Sequence, residues 1–491
     1  MRTLFSRRQF LRIATGSVLS LSVANKLTAK TAAPGHPNLV FVFPDQMRGQ
    51  ALGFLHEDPV ITPNLDAFAK ESLVLPQAVS NYPVCSPFRA MLMTGTYPHA
   101  NKVISNCNSN SAPYDIELQQ TARCWSDVLK DQGYRLGYIG KWHLDAPYKP
   151  YVDCANNRGR TAWNEWCPPQ RRHGFDFWYA YGTYDYHLKP MYWSTDAGRD
   201  GFQYVNQWGP EHEADLAIKY IKNEGGKYRN SNQSFALVVS MNPPHTPYHM
   251  VPEKYLKQYE DKTPEELINR PNVNLKGNSS GAKLARKQIK NYFAMVTGVD
   301  DQFGRILQAL KETGLDDNTI VVFTSDHGNC LGCHDVPTKN VHYEESMRIP
   351  FLIRWPGKIK PRHDDLLFSS MDIYPTLLDL MGFADAIPKT VQGVSLAQVF
   401  LTGKGKRPDS QWYMWAPYDN PAGGRRGLRT RRYTLLISKT SNQTVKTVLH
   451  DNSNDPYQLK NIAEEKPKIV NELTREMESW LKKFHDPWLN S

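Results

Sequence analysis

The sequence contains no apolar run long enough to cross a membrane, no internal repeat and no low-complexity tract. A membrane-spanning helix needs about 20 consecutive apolar residues, so we expect no membrane span. Net charge is also small over most of the chain, because six of the ten net positive charges lie in residues 1–33, where no acidic residue occurs. The remainder, about +4, is too small to favour nucleic acid as a partner but suits an anionic substrate.

Cysteine is scarce as well, with seven residues in a chain of 491. Cys330 and Cys333 form a Cys-x-x-Cys pair, but no second pair of this kind is present to complete a structural zinc site. Without Cys85 the count is six, an even number that permits disulfides in an oxidising compartment. The sequence therefore favours disulfides or unused thiols over a metal site at these cysteines.

The first 33 residues are typical of a targeting segment. The heptapeptide Ser-Arg-Arg-Gln-Phe-Leu-Arg begins at Ser6 and precedes a short, weakly apolar stretch at residues 13–24. This pattern resembles a twin-arginine export signal of bacteria, which is removed and forms no part of the fold. An ordinary secretory signal is the alternative. We expect the mature protein to be periplasmic or secreted.

Short apolar runs alternate with amphipathic stretches along most of the chain. The runs are typical of strands buried on both faces, and they cover residues 38–43, 135–139, 235–241, 319–324 and 350–354. Helical patterns lie between them, as at residues 64–71, 121–132, 213–223 and 291–313. This alternation predicts an α/β domain with a large, mostly parallel sheet flanked by helices.

The pattern of predicted strands and helices changes near residue 405, and this change predicts a small C-terminal α+β subdomain. Its predicted elements are strands at residues 411–417 and 432–438 and a closing helix at residues 467–484. The chain is long for a single domain. We therefore divide it into a signal peptide (residues 1–33), a large domain (residues 34–404) and the subdomain (residues 405–491).

Polar side chains follow four of the predicted strands directly. They are Asp45 and Gln46, Lys141 and His143, His245, and Asp326 and His327. Ligands of open α/β sheets bind beyond the carboxyl ends of the strands, so we expect these side chains to meet in one pocket. A single such end is explained by a turn, whereas four together predict a functional site.

The pentapeptide Cys-Ser-Pro-Phe-Arg, from Cys85 to Arg89, has two interpretations. A proline near the start of a helix is common, and residues 88–93 followed by Gly95 predict a short helix with a glycine stop. In that interpretation Cys85 is a buried structural thiol. In the other, a Cys-x-Pro-x-Arg sequence marks a cysteine that is oxidised to an aldehyde.

The second interpretation rests on a resemblance to the type I, formylglycine-dependent sulfatases of the alkaline phosphatase superfamily. Besides the pentapeptide, the motifs that carry the resemblance are Pro37-Asn38-Leu39, Thr62-Pro63-Asn64-Leu65-Asp66, Gly140-Lys141-Trp142-His143-Leu144, Pro244-His245-Thr246-Pro247, Thr324-Ser325-Asp326-His327-Gly328, Lys339, Tyr343-Glu344-Glu345-Ser346 and Asp455-Pro456-Tyr457. They span nearly the whole chain after residue 33. The resemblance implies an alkaline-phosphatase-like sandwich with a small C-terminal subdomain, and an enzyme that hydrolyses sulfate esters.

The resemblance further implies that a maturase converts Cys85 to Cα-formylglycine. The hydrated aldehyde has two hydroxyl groups, so one can attack sulfur and the other can later expel sulfate. A serine would remain trapped as its sulfate ester. Phe88 departs from the family, in which most members have serine, but the cysteine, the proline and Arg89 are present.

The remaining catalytic roles are also carried over from the family, residue by residue. Arg89 is expected to orient the hydrate, and Lys141 and Lys339 to offset the charge of the sulfate. His245 or Lys339 would give a proton to the leaving group, and His143 would take one from the remaining hydroxyl.

The family's metal site matches Asp45, Gln46, Asp326 and His327. Oxygen-rich sites with two carboxylates suit Ca²⁺, with Mg²⁺ or Mn²⁺ as alternatives. Gln46 stands where many members have a second aspartate and His327 where many have asparagine, which leaves the identity of the metal open.

The predicted substrate is a sulfated small molecule or glycan, and His187 is a candidate for contact with its organic part. Twelve tryptophans and 25 tyrosines suit the stacking of sugars. A phosphonate or phosphate ester hydrolase of the same superfamily is the alternative enzyme. A non-catalytic binder of sulfated glycans is the alternative of another class, although it should lack His143, His245 or Lys339, and all three are present.

Overall fold

The computed structural model describes residues 35–230, 233–439 and 445–490, so the predicted twin-arginine signal lies outside the described residues. The strands are β1 (Asn38–Pro44), β2 (Leu73–Val74), β3 (Arg135–Lys141), β4 (Phe177–Tyr181), β5 (Met191–Ser194), β6 (Gln203–Tyr204), β7 (Phe235–Met241), β8 (Thr319–Thr324), β9 (Phe351–Arg354), β10 (Arg362–His363), β11 (Ser410–Trp415), β12 (Gly424–Thr430), β13 (Tyr433–Lys439) and β14 (Val445–Asp451). The helices are α1 (Pro63–Lys70), α2 (Cys85–Thr94), α3 (Pro98–Asn101), α4 (Trp125–Asp131), α5 (Gly209–Lys222), α6 (Glu253–Leu256), α7 (Pro264–Leu267), α8 (Ser280–Glu312), α9 (Glu344–Met347), α10 (Ser370–Leu380), α11 (Ala397–Thr402) and α12 (Pro467–Lys483).

A ten-stranded sheet forms the centre of the large domain, in the order β10-β2-β9-β8-β1-β7-β3-β4-β5-β6. The central strands β8, β1, β7, β3 and β4 are parallel to one another. Strands β9 and β5 pair antiparallel with the two ends of this parallel block. The predicted α/β sheet is confirmed, with these five strands as its main parallel block and a short parallel pair, β2 and β10, at one edge.

The strand sequences are continuously apolar because helices cover both faces of the sheet. In β1, Leu39 and Phe41 pack into one core with α2, α4 and α10, while Val40 and Val42 pack into a second core with α1, α5 and α8. Successive side chains of a strand point to opposite faces, so a strand between two helical layers must be apolar at every position.

Helix α8 begins well before the predicted start at residue 291. The Ser279 side chain accepts a hydrogen bond from the amide of Ala282 and caps the helix at Ser280. The first turns are rich in lysine, arginine and glutamine, so they lack the strong apolar period on which the prediction relied.

The C-terminal subdomain is a four-stranded antiparallel sheet, β11-β12-β13-β14, with α12 packed on it. Strand β12 was not predicted, because its sequence Gly-Arg-Arg-Gly-Leu-Arg-Thr is strongly basic. Ion pairs with residues distant in sequence neutralise its arginines and stabilise it as a strand. Arg426 binds both carboxylate oxygens of Asp486 at 2.8 Å, and Arg429 binds Glu344 at 2.7 and 2.8 Å.

All seven cysteines are buried free thiols, so none of them forms a disulfide within the described part of the chain. Cys330 and Cys333 lie in a small apolar cluster with Val273 and Ala285. Over the same residues, no helix combines the length and apolarity that crossing a bilayer requires.

One buried carboxyl group lies beside the end of β3. Glu213 of α5 is fully buried, and its Oε1 accepts hydrogen bonds from Tyr192 at 3.0 Å and Tyr181 at 3.4 Å. Its Oε2 has no hydrogen-bond partner among the described residues. Burial raises the pKa of Glu213 from 4.5 to about 8, although both tyrosines act to lower it.

This group should make stability depend on pH. A carboxyl whose pKa is raised on folding stabilises the fold below its unfolded pKa, and the contribution is lost as pH rises from about 4.5 to about 8. Glu213→Gln keeps the hydrogen bonds and cannot ionise. Its melting temperature, relative to the unaltered protein, should therefore rise steadily across this range.

Glu260→Gln, at an exposed glutamate, serves as the control and should show no such trend. If the difference in melting temperature between the Glu213→Gln variant and the unaltered protein were the same at every pH, the Glu213 carboxyl would not titrate in this window.

Candidate active site

The ends of four neighbouring strands meet at one buried site, as their sequence positions predict. Asp45 and Gln46 follow β1, His245 follows β7, and Asp326 and His327 follow β8. Lys141 is the last residue of β3, and His143 lies two residues beyond it. The structure therefore brings together all ten residues predicted for catalysis and metal binding.

A glycine allows β3 to end in this position. Gly140 has φ +99°, and a Cβ there would lie 2.1 Å from the carbonyl oxygen of Ser240 in β7. Any other side chain would push the two strands apart. Because of this close approach, Lys141, the residue after Gly140, lies beside β7 at the active site.

Cys85 is the first residue of α2, and its side chain lies at the centre of the site. Its Sγ is 3.3 Å from both His327 Nε2 and Lys339 Nζ, and 3.6 Å from Asp45 Oδ1. Lys141 Nζ lies 4.0 Å away. In a matured enzyme this Sγ would be replaced by the oxygens of formylglycine.

The charges around Cys85 favour an anion. Burial and the Asp45 carboxylate both act to raise the pKa of the thiol. Lys141, Lys339 and His327 act in the opposite direction and bring this pKa well below its usual value. Burial lowers the pKa of Lys339, but the negative charges beside it raise it overall, so its ammonium group stays charged.

Arg89, one helical turn after Cys85, lies beneath the two buried carboxylates. Its Nη2 donates to Asp45 Oδ2 at 3.0 Å and to Asp326 Oδ2 at 3.1 Å. Its Nη1 donates to the carbonyl oxygen of Lys141 at 2.6 Å. Arg89 therefore positions the carboxylates and β3, and its predicted effect on a formylglycine hydrate remains a prediction.

The residues at this position fit a divalent cation. The ligand atoms of Asp45, Cys85, Asp326 and His327 all lie within 4.8 Å of one another. His327 Nδ1 is 2.9 Å from the carbonyl oxygen of Gly328. A carbonyl can only accept, so Nδ1 carries a proton. Burial acts to lower the pKa of His327 but the charge of Asp326 raises it overall, so Nε2 presents a lone pair to a metal ion only in the neutral form of the ring.

That lone pair of His327 faces two carboxylates, because Nε2 lies 3.5 Å from an oxygen of both Asp45 and Asp326. Three electron-rich groups this close need a cation between them. Burial and the charge of Asp45 raise the pKa of Asp326 to about 6, although His327 and Arg89 act to lower it.

Gln46 lies at the edge of this cluster, with φ +66°. Its backbone amide donates to Asp326 Oδ1 at 3.0 Å, and its side-chain Oε1 accepts from Lys339 Nζ at 2.9 Å. Its Nε2 donates to Tyr248 at 2.8 Å, which fixes the oxygen toward the site. The side chain thus offers a neutral oxygen where a metal ligand was predicted.

The two candidate proton-transfer histidines differ in their surroundings. His143 Nε2 donates to the carbonyl oxygen of Cys107 at 3.1 Å, so Nδ1 is the basic nitrogen of the neutral ring. This Nδ1 is buried and has no hydrogen-bond partner within the described ranges. Burial lowers the pKa of His143, which keeps the ring neutral and able to accept a proton.

His245 is held by a residue that the sequence did not reveal. Its Nδ1 lies 2.7 Å from the carbonyl oxygen of Thr246 and 3.4 Å from Asp185 Oδ1. Burial would raise the pKa of Asp185, but His245 and Lys141 hold it below its usual range. Asp185 therefore lies where it can orient the His245 ring.

Asp185 and Asn242 connect His245 to Lys141. Asn242 Nδ2 donates to Asp185 Oδ1 at 3.2 Å, and its Oδ1 accepts from Lys141 Nζ at 3.1 Å. Asn242 follows β7 directly, so its position at a strand end was a signal. Asp185 lies in the loop between β4 and β5, and nothing in the local sequence marks it.

His187, which was predicted to touch the substrate, is 2% exposed. Its Nε2 donates to the carbonyl oxygen of His245 at 2.9 Å, and burial lowers its pKa to about 4. It therefore supports the backbone of His245, and a contact with substrate stays a prediction. Trp163, not predicted, lies beside the site with its ring centre 6.4 Å from that of His143.

An alkaline-phosphatase-like fold with buried cations and carboxylates around one side chain defines a hydrolase of anionic esters. The sulfatase family profile matches residues 37–383, and that of the C-terminal part of N-sulphoglucosamine sulphohydrolase matches residues 332–486. The chain belongs to the sulfatase family, whose members generally use a metal ion and a formylglycine.

Individual relatives agree with this assignment over most of the chain. The endo-4-O-sulfatase of Bacteroides thetaiotaomicron is 43% identical over 494 residues, which is 92% of this chain and 93% of the relative. The ulvan-active sulfatase of Formosa agariphila is 33% identical and covers 93% of this chain and 82% of its own length. The crystal structure of a Bacteroides fragilis protein assigned as the sulfatase yidJ has a TM-score of 0.88 and 55% identity, covering 92% of this chain and 97% of its own.

His245 and Lys339 are the candidate general acids, and leaving groups of different basicity distinguish them. His245→Ala should lower kcat on a sugar sulfate by about 10²–10⁴-fold, because an alkoxide must be protonated as it leaves. On 4-nitrophenyl sulfate the loss should be small, since nitrophenolate leaves without a proton. Asp185→Asn should show the same pattern more weakly.

Steady-state rates on both substrates check this prediction. If His245→Ala lost the same factor on both, the ring would not act on the leaving group, and Lys339 would become the candidate acid.

Proposed function

We propose that this sulfatase removes sulfate from carbohydrates, with a formylglycine made from Cys85 as its nucleophile. The observation that carries the proposal is the anion-favouring position of Cys85, between Lys339 at 3.3 Å and Lys141 at 4.0 Å from its Sγ. The similarity to an endo-4-O-sulfatase and an ulvan-active sulfatase supports a glycan substrate.

The first half of the proposed reaction needs charge stabilisation. Once formed, the formylglycine supplies a hydrated carbonyl with two hydroxyl groups, one to bond to sulfur and one to release sulfate. Asp45, whose Oδ1 lies 3.6 Å from the Sγ of Cys85, would accept the proton of the attacking hydroxyl. Lys141 and Lys339 hold the sulfate oxygens and offset their negative charge. Arg89 holds the two carboxylates behind them in place.

The proton transfers are divided between two histidines. His245, protonated and held by Asp185, gives a proton to the ester oxygen as the S–O bond breaks. His143 accepts a proton at Nδ1, its nitrogen without a partner, from the hydroxyl that remains. The two rings follow neighbouring strands, His245 after β7 and His143 after β3.

Asp45, Gln46, Asp326 and His327 are the proposed ligands of the metal. Ca²⁺ is the proposed ion, with Mg²⁺ and Mn²⁺ as alternatives, because two carboxylates and an amide oxygen prefer hard cations. The bound ion would supply positive charge to the sulfate oxygens.

A bacterial periplasmic or secreted location follows from the proposed twin-arginine signal at residues 1–33. The described residues begin after it. N-terminal sequencing of the exported protein tests this, since a mature chain that still contains Arg7 and Arg8 would contradict a removed signal. Residues 34–404 and 405–491 remain the proposed catalytic domain and subdomain.

The proposed activity is tested with sulfated sugars of defined structure. Monosaccharides and oligosaccharides that carry sulfate on O2, O4, O6 or N should be tried beside the phosphate monoester and diester analogues of the best substrate. Release of sulfate from at least one sugar, faster than of phosphate from its analogue, is the expected result. A preference for the phosphorus ester would overturn the proposal.

Cys85→Ser and Cys85→Ala are the matched controls. A serine can form an O–S bond while the sugar alcohol leaves, but it has no second hydroxyl to expel sulfate. Intact-mass analysis should therefore show one sulfate ester on the Cys85→Ser variant after incubation with substrate, and none on Cys85→Ala. An unmodified thiol in fully active protein would also contradict the assignment.

Metal binding can be tested apart from activity. After treatment with a chelator, added Ca²⁺ should raise the melting temperature, because a ligand that binds only the folded state stabilises it. Asp326→Asn should abolish this shift. Asp127→Asn, in a second cluster with Cys124 and His173, should keep it, whereas the reverse pattern would place the metal in that cluster.

A further inference from the structure

The outer side of the loop between β4 and β5 exposes a group of apolar side chains. Tyr186 and Leu188 are 45% and 46% exposed, and Tyr204 of β6 is 44% exposed. The ring centre of Tyr184 lies 5.5 Å from that of Tyr186 and 6.0 Å from that of Tyr204. These four residues are called the aromatic patch. Clustered exposed apolar side chains mark a binding surface.

The inner side of the same loop contacts the active site. Asp185 and His187, the neighbours of Tyr186 in sequence, lie 3.4 Å from His245 Nδ1 and 2.9 Å from its carbonyl oxygen. His245 is the residue proposed above to protonate the leaving group. The aromatic patch therefore adjoins the side of the site from which the desulfated alcohol departs.

The aromatic patch has a rigid base. Tyr184 is 5% exposed and packs in a cluster that includes Tyr179, Tyr192 and Trp193. Asn242 Nδ2 donates to the carbonyl oxygen of Tyr184 at 3.0 Å. A surface held in place before binding loses little entropy when a ligand arrives.

A cation borders the aromatic patch. Lys189 is exposed, and its Nζ lies 6.0 Å from the ring centre of Tyr204. No carboxylate of the described residues forms a salt bridge with it, in contrast to the nearby Arg158, which pairs with Asp153 at 3.0 Å. Lys189 is therefore available to an anionic group of a ligand.

We propose that the aromatic patch and Lys189 bind the sugar residue next to the sulfated one. The apolar face of a pyranose packs on tyrosine rings, and its hydroxyl groups reach the water at their edge. A carboxylate or second sulfate on that sugar meets Lys189. This inference rests on the proposed carbohydrate activity and deepens it, because it makes an anionic oligosaccharide a better substrate than the monosaccharide.

The test compares two substrates that share the reacting sugar: N-acetylgalactosamine 4-sulfate and the chondroitin 4-sulfate tetrasaccharide. Tyr186→Ala should lower kcat/KM on the tetrasaccharide about tenfold, the size expected for one aromatic contact, and leave the monosaccharide unchanged. Tyr186→Phe is the matched control and should behave as the unaltered enzyme. Lys189→Ala should lower kcat/KM on the tetrasaccharide but not on the monosaccharide, and this loss should be smaller at high salt.

An equal loss on both substrates would overturn the proposed subsite, since it would mean that Tyr186 acts only through Asp185 and His187 on the chemistry. Unchanged values on both would overturn it too. In either case turnover of the monosaccharide leaves the proposed function intact.

A binding measurement keeps the inference testable without turnover. In the Cys85→Ala background, calorimetry with the chondroitin 4-sulfate tetrasaccharide should show affinity that falls about tenfold with Tyr186→Ala. Equal affinity with and without the Tyr186 ring would overturn the subsite whatever the enzyme hydrolyses.

Discussion

The structure depends on neutralising two carboxylates, Asp45 and Asp326, which are fully buried at the ends of adjacent strands. Burial of an unpaired charge costs several kcal/mol, so cations have to collect around them. Arg89 binds both from beneath, and Lys141 binds Asp45 at 2.8 Å. The lone pair of His327 leaves room for one more cation. Because these positive charges surround Cys85, the arrangement that balances the carboxylates also prepares a place for a sulfate ester.

The catalytic groups and the proposed subsite occupy different parts of the fold. Cys85, Lys141 and the proposed metal ligands lie on α2 and at the ends of the central parallel strands, between the two helical layers. The loop between β4 and β5 lies toward the edge of the sheet. Its inner side holds His245 through Asp185, and its outer side exposes Tyr186. In the proposed subsite, changes at Tyr186 alter substrate preference without replacing a catalytic group.

Much of the site could be predicted because strand ends are local features of a sequence. An apolar run that stops just before Asp45 or Asp326 predicts both a strand and the residue that follows its end. Parallel strands bring such ends to one edge of the sheet. Asp185 could not be found in this way, since its loop reaches His245 only when β4 lies beside β3. Strand β12 was missed for a similar reason: Arg426 and Arg429 belong in a strand only because Asp486 and Glu344 neutralise them.

The amino-acid sequence alone determined the class of fold, the family, and the cysteine and strand-end residues at the centre of the site. Those features can be predicted because they depend on the residue types in short runs of sequence, whose local structural preferences are known. The tertiary structure decided the protonated nitrogen of each histidine, the partner of His245, the position of Arg89 under the carboxylates and the free state of the cysteines. Each of these depends on which distant groups come within hydrogen-bonding distance, and that follows only from the packing of the whole chain.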